Sequence, residues 1–440
     1  MTEAPARAGS MAELAFPPGF LWGAATAAHQ VEGWNANSDW WDWERRPGTP
    51  CRDESGIAID HYRRYRDDIA LLAGVGLDTY RYSVEWARIE PAEGVFDEAV
   101  LDHYRAMTDA VWEAGLTPMV TLHHFTLPRW VAARGGWMDP GTPARFARYA
   151  ERVVRALADR VDWYCTINEP GIVAWGGYLG ALDFPPGRTD TRSWERAIEG
   201  LVAGHRLGYE AVKGARPSAR AGLTNQLIEW EPDEDARPFI DWLRARTEDV
   251  FLEAARGDDF IGVQTYTRAV VRMGAWQSAA LRLSLRSRRL RDRVLVPQIR
   301  RQALDPEPAL PPGARRTQMG YEFRPEALEA TVRRTAAVLP GQAIVVTEHG
   351  IATDDDAERI ELIDGGLRGL HAAMVDWVPV KGYIHWSAFD NFEWVKGYSQ
   401  RFGLIGVDRA TLERTVRPSA QFLGRIARTG RLGPGGPVPG

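Results

Sequence analysis

Cysteine is nearly absent from this chain. The 440 residues hold two, Cys51 and Cys165, and neither belongs to a paired metal-binding spacing, so no disulfide framework is implied. Cys165 lies within a strand-like run and reads as a small buried hydrophobe. Charge of one sign is also lacking. The formal net charge is −5, which gives no reason to expect a nucleic-acid partner for the chain as a whole. No apolar run is long enough to span a bilayer, and Met1 to Ser10 has no apolar signal-peptide core, which predicts a cytoplasmic protein. The histidines include no pair at i, i+4 with the glutamate that a helical zinc motif needs, so neither a metal nor a cofactor is expected. No short repeat period is visible, which argues against a solenoid.

What the chain does have is tryptophan, 18 of them, with Trp22, Trp34, Trp40, Trp41 and Trp43 clustered early. Indoles fill cores. They also stack on the apolar faces of sugar rings, whose rims carry hydroxyls, so a carbohydrate site wants aromatics beside carboxylates and amides.

Strand-like apolar runs recur at Phe20–Ala25, Thr79–Trp86, Thr117–His124, Trp163–Glu169, Ala219–Gln226, Phe260–Thr267, Ala343–Glu348 and Gly382–Phe389. Helical spacing separates them, as in Tyr62–Ala73, Leu101–Ala114, Ala144–Ala158, Ile198–Ala211, Phe239–Ala255 and Ala327–Val338. Eight strands alternating with helices predict an α/β protein, a single-domain (β/α)8 TIM barrel with a long insertion after strand 6. The expected organisation is a flexible N-terminus over 1–15, the barrel over 16–430 and a flexible Gly/Pro-rich tail over 431–440.

Two glutamates stand out against that frame. Glu169, in Thr166-Ile167-Asn168-Glu169-Pro170, and Glu348, in Val345-Val346-Thr347-Glu348-His349-Gly350, each end a buried run that Pro or Gly then stops. The C-terminal mouth of the strands is where a barrel keeps its chemistry, and two carboxylates converging there are suited to splitting a glycosidic bond. Other polar residues fall at the same ends: Gln30, Arg81, Glu85, His123, His124, Asn168, Tyr266, Trp386, Glu393 and Trp394. Burying them is costly unless they serve one another or a ligand.

The insertion, about 268–320, is far longer than a usual βα connection. Its residues 282–301 carry Arg282, Arg286, Arg288, Arg289, Arg291, Arg293, Arg300 and Arg301 against one acid, Asp292, with leucines interleaved. Such a stretch could touch an anionic membrane or an acidic ligand. The expectation favoured here is a solvated helical insertion covering the pocket rim.

Four stretches resemble glycoside hydrolase family 1, the β-glucosidase family of retaining enzymes. They are Phe20-Leu21-Trp22-Gly23-Ala24-Ala25-Thr26-Ala27-Ala28-His29-Gln30-Val31-Glu32-Gly33, Tyr80-Arg81-Tyr82-Ser83 through Arg88-Ile89-Glu90-Pro91, Asn168-Glu169-Pro170, and Gly382 to Ser387 running into Asp390-Asn391-Phe392-Glu393-Trp394. The match runs from about Phe16 to Arg428.

The resemblance implies roles. Glu169 would be the general acid and then base, and Glu348 the nucleophile. Arg81 and Tyr266 would support Glu348, with Arg81 lowering its pKa. Asn168 would hold the sugar 2-hydroxyl. Gln30, His124, Tyr266, Glu393 and Trp394 would bind in the −1 subsite over Trp386, and Tyr321 would face the aglycone. A glutamate at 393 implies an unphosphorylated sugar. The chain departs from the family pattern at His349, at Gln264-Thr265-Tyr266, at Met319-Gly320-Tyr321 and at Phe125-Thr126. The implied activity is hydrolysis of β-glucosides, extending to β-galactosides and β-fucosides. The alternatives are transfer of the glycosyl group to an alcohol and, more remotely, sugar binding without catalysis. The expected partner is a small-molecule glycoside, and the sequence does not give an oligomeric state.

Overall fold

The computed structural model describes residues 13–303 and 310–434, so most of the expected flexible ends, 1–12 and 435–440, lies outside the described residues, as does the Arg301 side chain. Eight parallel strands close into a barrel: Leu21–Ala25, Thr79–Ser83, Thr117–His123, Trp163–Asn168, Arg220–Gln226, Phe260–Thr265, Ile344–His349 and Val380–Trp386. They are called strands one to eight below. Strands two, four, six and seven are buried at every residue. A parallel strand covered on one side by the barrel interior and on the other by helices reads as a continuous apolar run for that reason.

The helices of the outer layer include His61–Val75, Glu98–Glu113, Thr142–Leu157, Thr191–Ala215, Ala327–Val338, Asp356–Val375 and Pro418–Thr429. Several starts are capped by acids that accept from free backbone N–H groups. Asp97 accepts from Ala99 and Val100, Asp190 from Ser193, and Asp355 from Ala357. The expected helix Phe239–Ala255 is interrupted, its middle five residues Ala245–Asp249 forming one wide π-turn.

Several boundaries differ from the sequence expectation, among them strand eight, which runs Val380–Trp386 and not to Phe389. Strand two ends at Ser83, because Glu85 caps a short helix Trp86–Ile89 by accepting from Ala87 N at 3.2 Å. Strand six ends at Thr265, and the chain beyond it, Arg268–Val271, pairs in parallel with Glu229–Pro232, joining the loops after strands five and six. The inner ends of the termini are paired: Leu14 and Ala15 lie antiparallel to Leu432 and Arg431, and Phe16 N donates to Gly430 O at 2.8 Å.

The Arg-rich insertion is helical over Ala275–Leu285, Arg288–Leu290 and Val296–Ala303, with a π-turn at Arg291–Leu295. It is docked on the helix Thr191–Ala215. Asp292 accepts from Thr191 N at 2.9 Å and from Thr191 Oγ1 at 2.7 Å, and Arg288 pairs with Glu195 at 2.7 Å. Arg300 Nε donates to Gly180 O at 3.0 Å. Leu281, Leu295, Val296 and Ile299 are buried beneath it, while Arg282, Arg286, Arg289 and Arg293 stay exposed. Among the described residues no helix is long and apolar enough to cross a membrane.

Candidate active site

Every strand of the barrel ends at the same mouth, and most of the polar residues singled out in the sequence meet there; His123 instead packs on Trp137 at 5.2 Å, and Glu85 caps the helix Trp86–Ile89. Glu348, near the end of strand seven, is buried. Its Oε1 accepts from Arg81 Nη1 at 2.6 Å and from Gln264 Nε2 at 2.8 Å. Its Oε2 accepts from Tyr266 OH at 2.5 Å. Arg81 is itself spread across the barrel floor. It donates from Nε to Thr121 Oγ1 at 3.1 Å, from Nη1 to Thr347 O at 3.1 Å, and from Nη2 to Asn168 Oδ1 at 2.5 Å.

Glu169 follows strand four in the left-handed region, φ 44° and ψ 56°, because Pro170 opens a helical turn immediately after it. Its N–H donates to Thr224 O at 2.8 Å, which fixes the bend. Its side chain is buried, and Oε1 takes no hydrogen bond from the described residues.

The two carboxyls therefore sit in opposite environments. Burial raises the pKa of both. For Glu169 the negative charge of Glu348 adds to that rise, with Glu393 behind it and only Arg81 opposing. For Glu348 the Arg81 cation and the hydrogen bonds from Tyr266 and Arg81 pull back toward the charged form. The lowering by Arg81 expected from sequence is present, but burial outweighs it and the net shift is upward. A proton shared by the pair resides on Glu169, since Glu348 holds three donors and Glu169 Oε1 none.

Asn168 Oδ1 accepts from Arg81 at 2.5 Å, from Gln264 Nε2 at 2.8 Å and from Thr224 Oγ1 at 3.0 Å. Three donors leave no ambiguity in the amide, so Nδ2 must face His124 Nε2, 3.2 Å away. His124 Nε2 is then the acceptor, and the ring proton is on Nδ1. Burial and the Arg81 charge keep the ring neutral. The outcome is a buried Nδ1–H donor without a partner among the described residues, available to a hydroxyl.

Aromatic rings line the rest. His124 stacks on Trp386 at 5.8 Å and on Trp394 at 6.2 Å, and Trp394 also packs on Trp40 at 4.5 Å. Gln30 Nε2 donates to Phe392 O at 2.8 Å and approaches Glu393 Oε2 at 3.3 Å. Burial and the Glu348 charge push Glu393 up to about 8. Tyr321 stands on a turn in which Thr317 N donates to Tyr321 O at 2.9 Å, and burial, with Glu393 and Glu169 nearby, raises the pKa of its phenol. Gly350 lets the ends of strands seven and eight close on each other, as a Cβ there would meet Trp386 O at 1.8 Å.

The residues to which the resemblance gives roles lie around this mouth. His349 is not part of it. As the next residue on a strand it points to the opposite face, where Nδ1 lies 2.9 Å from Tyr383 OH and Gly366 leaves room for the ring. Gln264, read from the sequence only as a departure, bridges Asn168 and Glu348. Thr224 and Thr121 were not singled out. Both are polar residues that follow a buried apolar neighbour, Thr121 after Val120 and Thr224 after Leu223, which is the signal that could have marked them.

The arrangement offers a carboxylate held by three donors, a second carboxyl that retains its proton, hydroxyl-binding amides and imidazole, and indole faces. The model for glycosyl hydrolase family 1 matches residues 12–251 and 242–431. The chain is 34% identical to thermostable beta-glucosidase B of Thermobispora bispora, over 96% of this chain and 92% of that protein. It is 32% identical to a bifunctional beta-D-glucosidase/beta-D-fucosidase of Bifidobacterium breve, over 94% of this chain and 98% of that one. The crystal structure of beta-glycosidase BGL167 superposes with a TM-score of 0.81 at 40% identity, covering 97% of this chain and 100% of the other.

Proposed function

The chain belongs to glycosyl hydrolase family 1, and on that premise we propose that Glu348 is the nucleophile and Glu169 the acid/base of a retaining β-glucosidase acting on unphosphorylated β-glucosides. The sugar range extends to β-fucosides and β-galactosides.

The contrast between the two carboxyls carries this reading. Glu348, held by Arg81, Gln264 and Tyr266, is kept ionised and aimed. Glu169, with the Glu348 charge nearby, keeps a proton at neutral pH for the departing oxygen. Attack by Glu348 forms a bond to the anomeric carbon as the bond to the leaving oxygen breaks, and that oxygen takes the Glu169 proton. The negative charge of Glu348 is then gone. Glu169, ionised by that transfer and no longer facing the Glu348 charge, stays ionised and removes a proton from water for the second displacement. Two inversions give net retention.

In this reading Asn168 Nδ2 and His124 Nδ1 donate to ring hydroxyls, Gln30 and Glu393 bind the far side of the sugar, and Trp386 and Trp394 supply stacking faces. Tyr321 meets the aglycone. The test is a panel of nitrophenyl β-glucoside, β-fucoside, β-galactoside and α-glucoside, with the first-formed anomer followed by NMR. Turnover of the β-glucoside to β-glucose supports the reading. Turnover of the α-glucoside alone, or first formation of α-glucose, overturns it.

A further inference from the structure

Gln264 lies at the end of strand six and is register partner to Glu348 across the ladder to strand seven. It is fully buried. Its Nε2 is 2.8 Å from Glu348 Oε1 and 2.8 Å from Asn168 Oδ1. Both neighbours are acceptors, the first a carboxylate and the second already receiving Arg81 and Thr224. The opposite amide orientation would set a carbonyl oxygen against two oxygens, so both Nε2 hydrogens are committed.

We infer that Gln264 is a positioning residue, a clamp that occupies Glu348 Oε1 so that Oε2 forms the bond to the sugar, and that fixes Asn168 for the same substrate. The inference rests on Glu348 being the nucleophile. Oε1 accepts two N–H groups, from Arg81 and Gln264, which uses both of its in-plane lone pairs. Oε2 accepts one O–H, from Tyr266, and keeps a lone pair free. When that pair bonds to the anomeric carbon, the leaving oxygen departs with its electrons and takes the Glu169 proton. Oε1 becomes the carbonyl of the ester, and its two donors stay in place. Nothing has to move, which is what a preorganised site requires.

The clamp also acts through Asn168. With Oδ1 held by three donors, Nδ2 is aimed and His124 is locked in the tautomer that donates from Nδ1. Glutamine adds this without a second cation, so the charge that keeps the proton on Glu169 is not neutralised further.

The experiment compares Gln264→Met, which keeps length and loses the donors, with Gln264→Glu, which keeps shape and replaces them by a carboxyl. The kcat/KM–pH profile is measured with dinitrophenyl β-glucoside and with its 2-deoxy analogue. For Gln264→Met we expect a fall of about 10- to 100-fold on the glucoside. The acid limb should move up by about one unit, because a donor to the charged form is lost. The fall on the 2-deoxy substrate should be smaller, since Asn168 has no hydroxyl to bind. Gln264→Glu should move the acid limb up further, and it carries the test alone if the methionine variant does not fold. An acid limb that stays in place, or equal losses on both substrates, overturns the inference. Glu348→Gly, assayed in parallel, separates the two claims. If it is inactive while the Gln264 variants leave the profile unmoved, only the clamp is lost. If it turns over normally, the assignment of Glu348 fails first.

Discussion

Tyr266 donates its phenol proton to Glu348 Oε2 at 2.5 Å, on the oxygen that Arg81 and Gln264 leave free. Burial and the Glu348 charge push the phenol's own pKa well up, so it remains a donor throughout the working range. Removing it in Tyr266→Phe leaves Oε2 without a partner. A hydrogen bond to the charged form lowers a carboxyl's pKa, so its loss raises the pKa of Glu348. The acid limb of kcat/KM should shift to higher pH by about one unit, with a loss of about 10- to 100-fold at the optimum. A pH–rate series on a nitrophenyl glucoside checks this, and a limb moving to lower pH would be the wrong sign.

Glu169→Gln should slow poor leaving groups far more than activated ones. A dinitrophenolate departs with little help from a proton, so its first step survives without an acid. The basic limb of the profile should also flatten, because no acid remains to be titrated. A series of aryl glucosides with graded phenol pKa measures both effects. Equal losses across the series would remove Glu169 from the acid role.

Glu393 governs how the site meets a 6-phosphate. Pushed up to about 8, it holds its proton at pH 6 and becomes negative by pH 9. Repulsion of a phosphate should therefore grow with pH. Comparing nitrophenyl β-glucoside with its 6-phosphate, the preference for the plain sugar should reach about 100- to 1000-fold at pH 9 and narrow at pH 6. Faster turnover of the phosphate at any pH would count against both Glu393 and the unphosphorylated-sugar assignment.

The insertion offers a test away from the chemistry. It is fastened by Asp292 to Thr191 and by Arg300 to Gly180. Replacing residues 282–301 with a short Gly/Ser linker should change kcat/KM for large aglycones by about tenfold while small aryl glucosides change little. Sedimentation with anionic vesicles is the second measurement. Binding by the wild type and not by the deletion would favour a membrane role for its exposed arginines instead.

The barrel was legible because a doubly covered parallel strand must be apolar along its length, and Val345-Val346 or Trp163-Tyr164-Cys165 can be little else. The site was legible for the converse reason. Arg81, Asn168 and Glu348 interrupt such runs, and a buried charge needs partners. What sequence did not give were the relations that depend on distance in space. The bridging of Asn168 and Glu348 by one Gln264 amide follows from the register of strands six and seven with strand four nearby. The docking of Asp292 on Thr191 joins residues 101 positions apart. The net rise in the Glu348 pKa depends on how completely the barrel excludes water, which the presence of Arg81 alone does not reveal. The outward direction of His349 could have been read, since strand alternation sends it opposite to Glu348.

The most direct measurement is made on Glu348→Gly with dinitrophenyl β-glucoside and added azide, with the configuration of the product determined by NMR. Without the carboxylate the variant should be inactive. Azide, small enough for the vacated space, should restore turnover by a single displacement and give the α-glucosyl azide. Normal turnover without azide, or a β-glucosyl azide as the product, would contradict the assignment of Glu348 as the nucleophile.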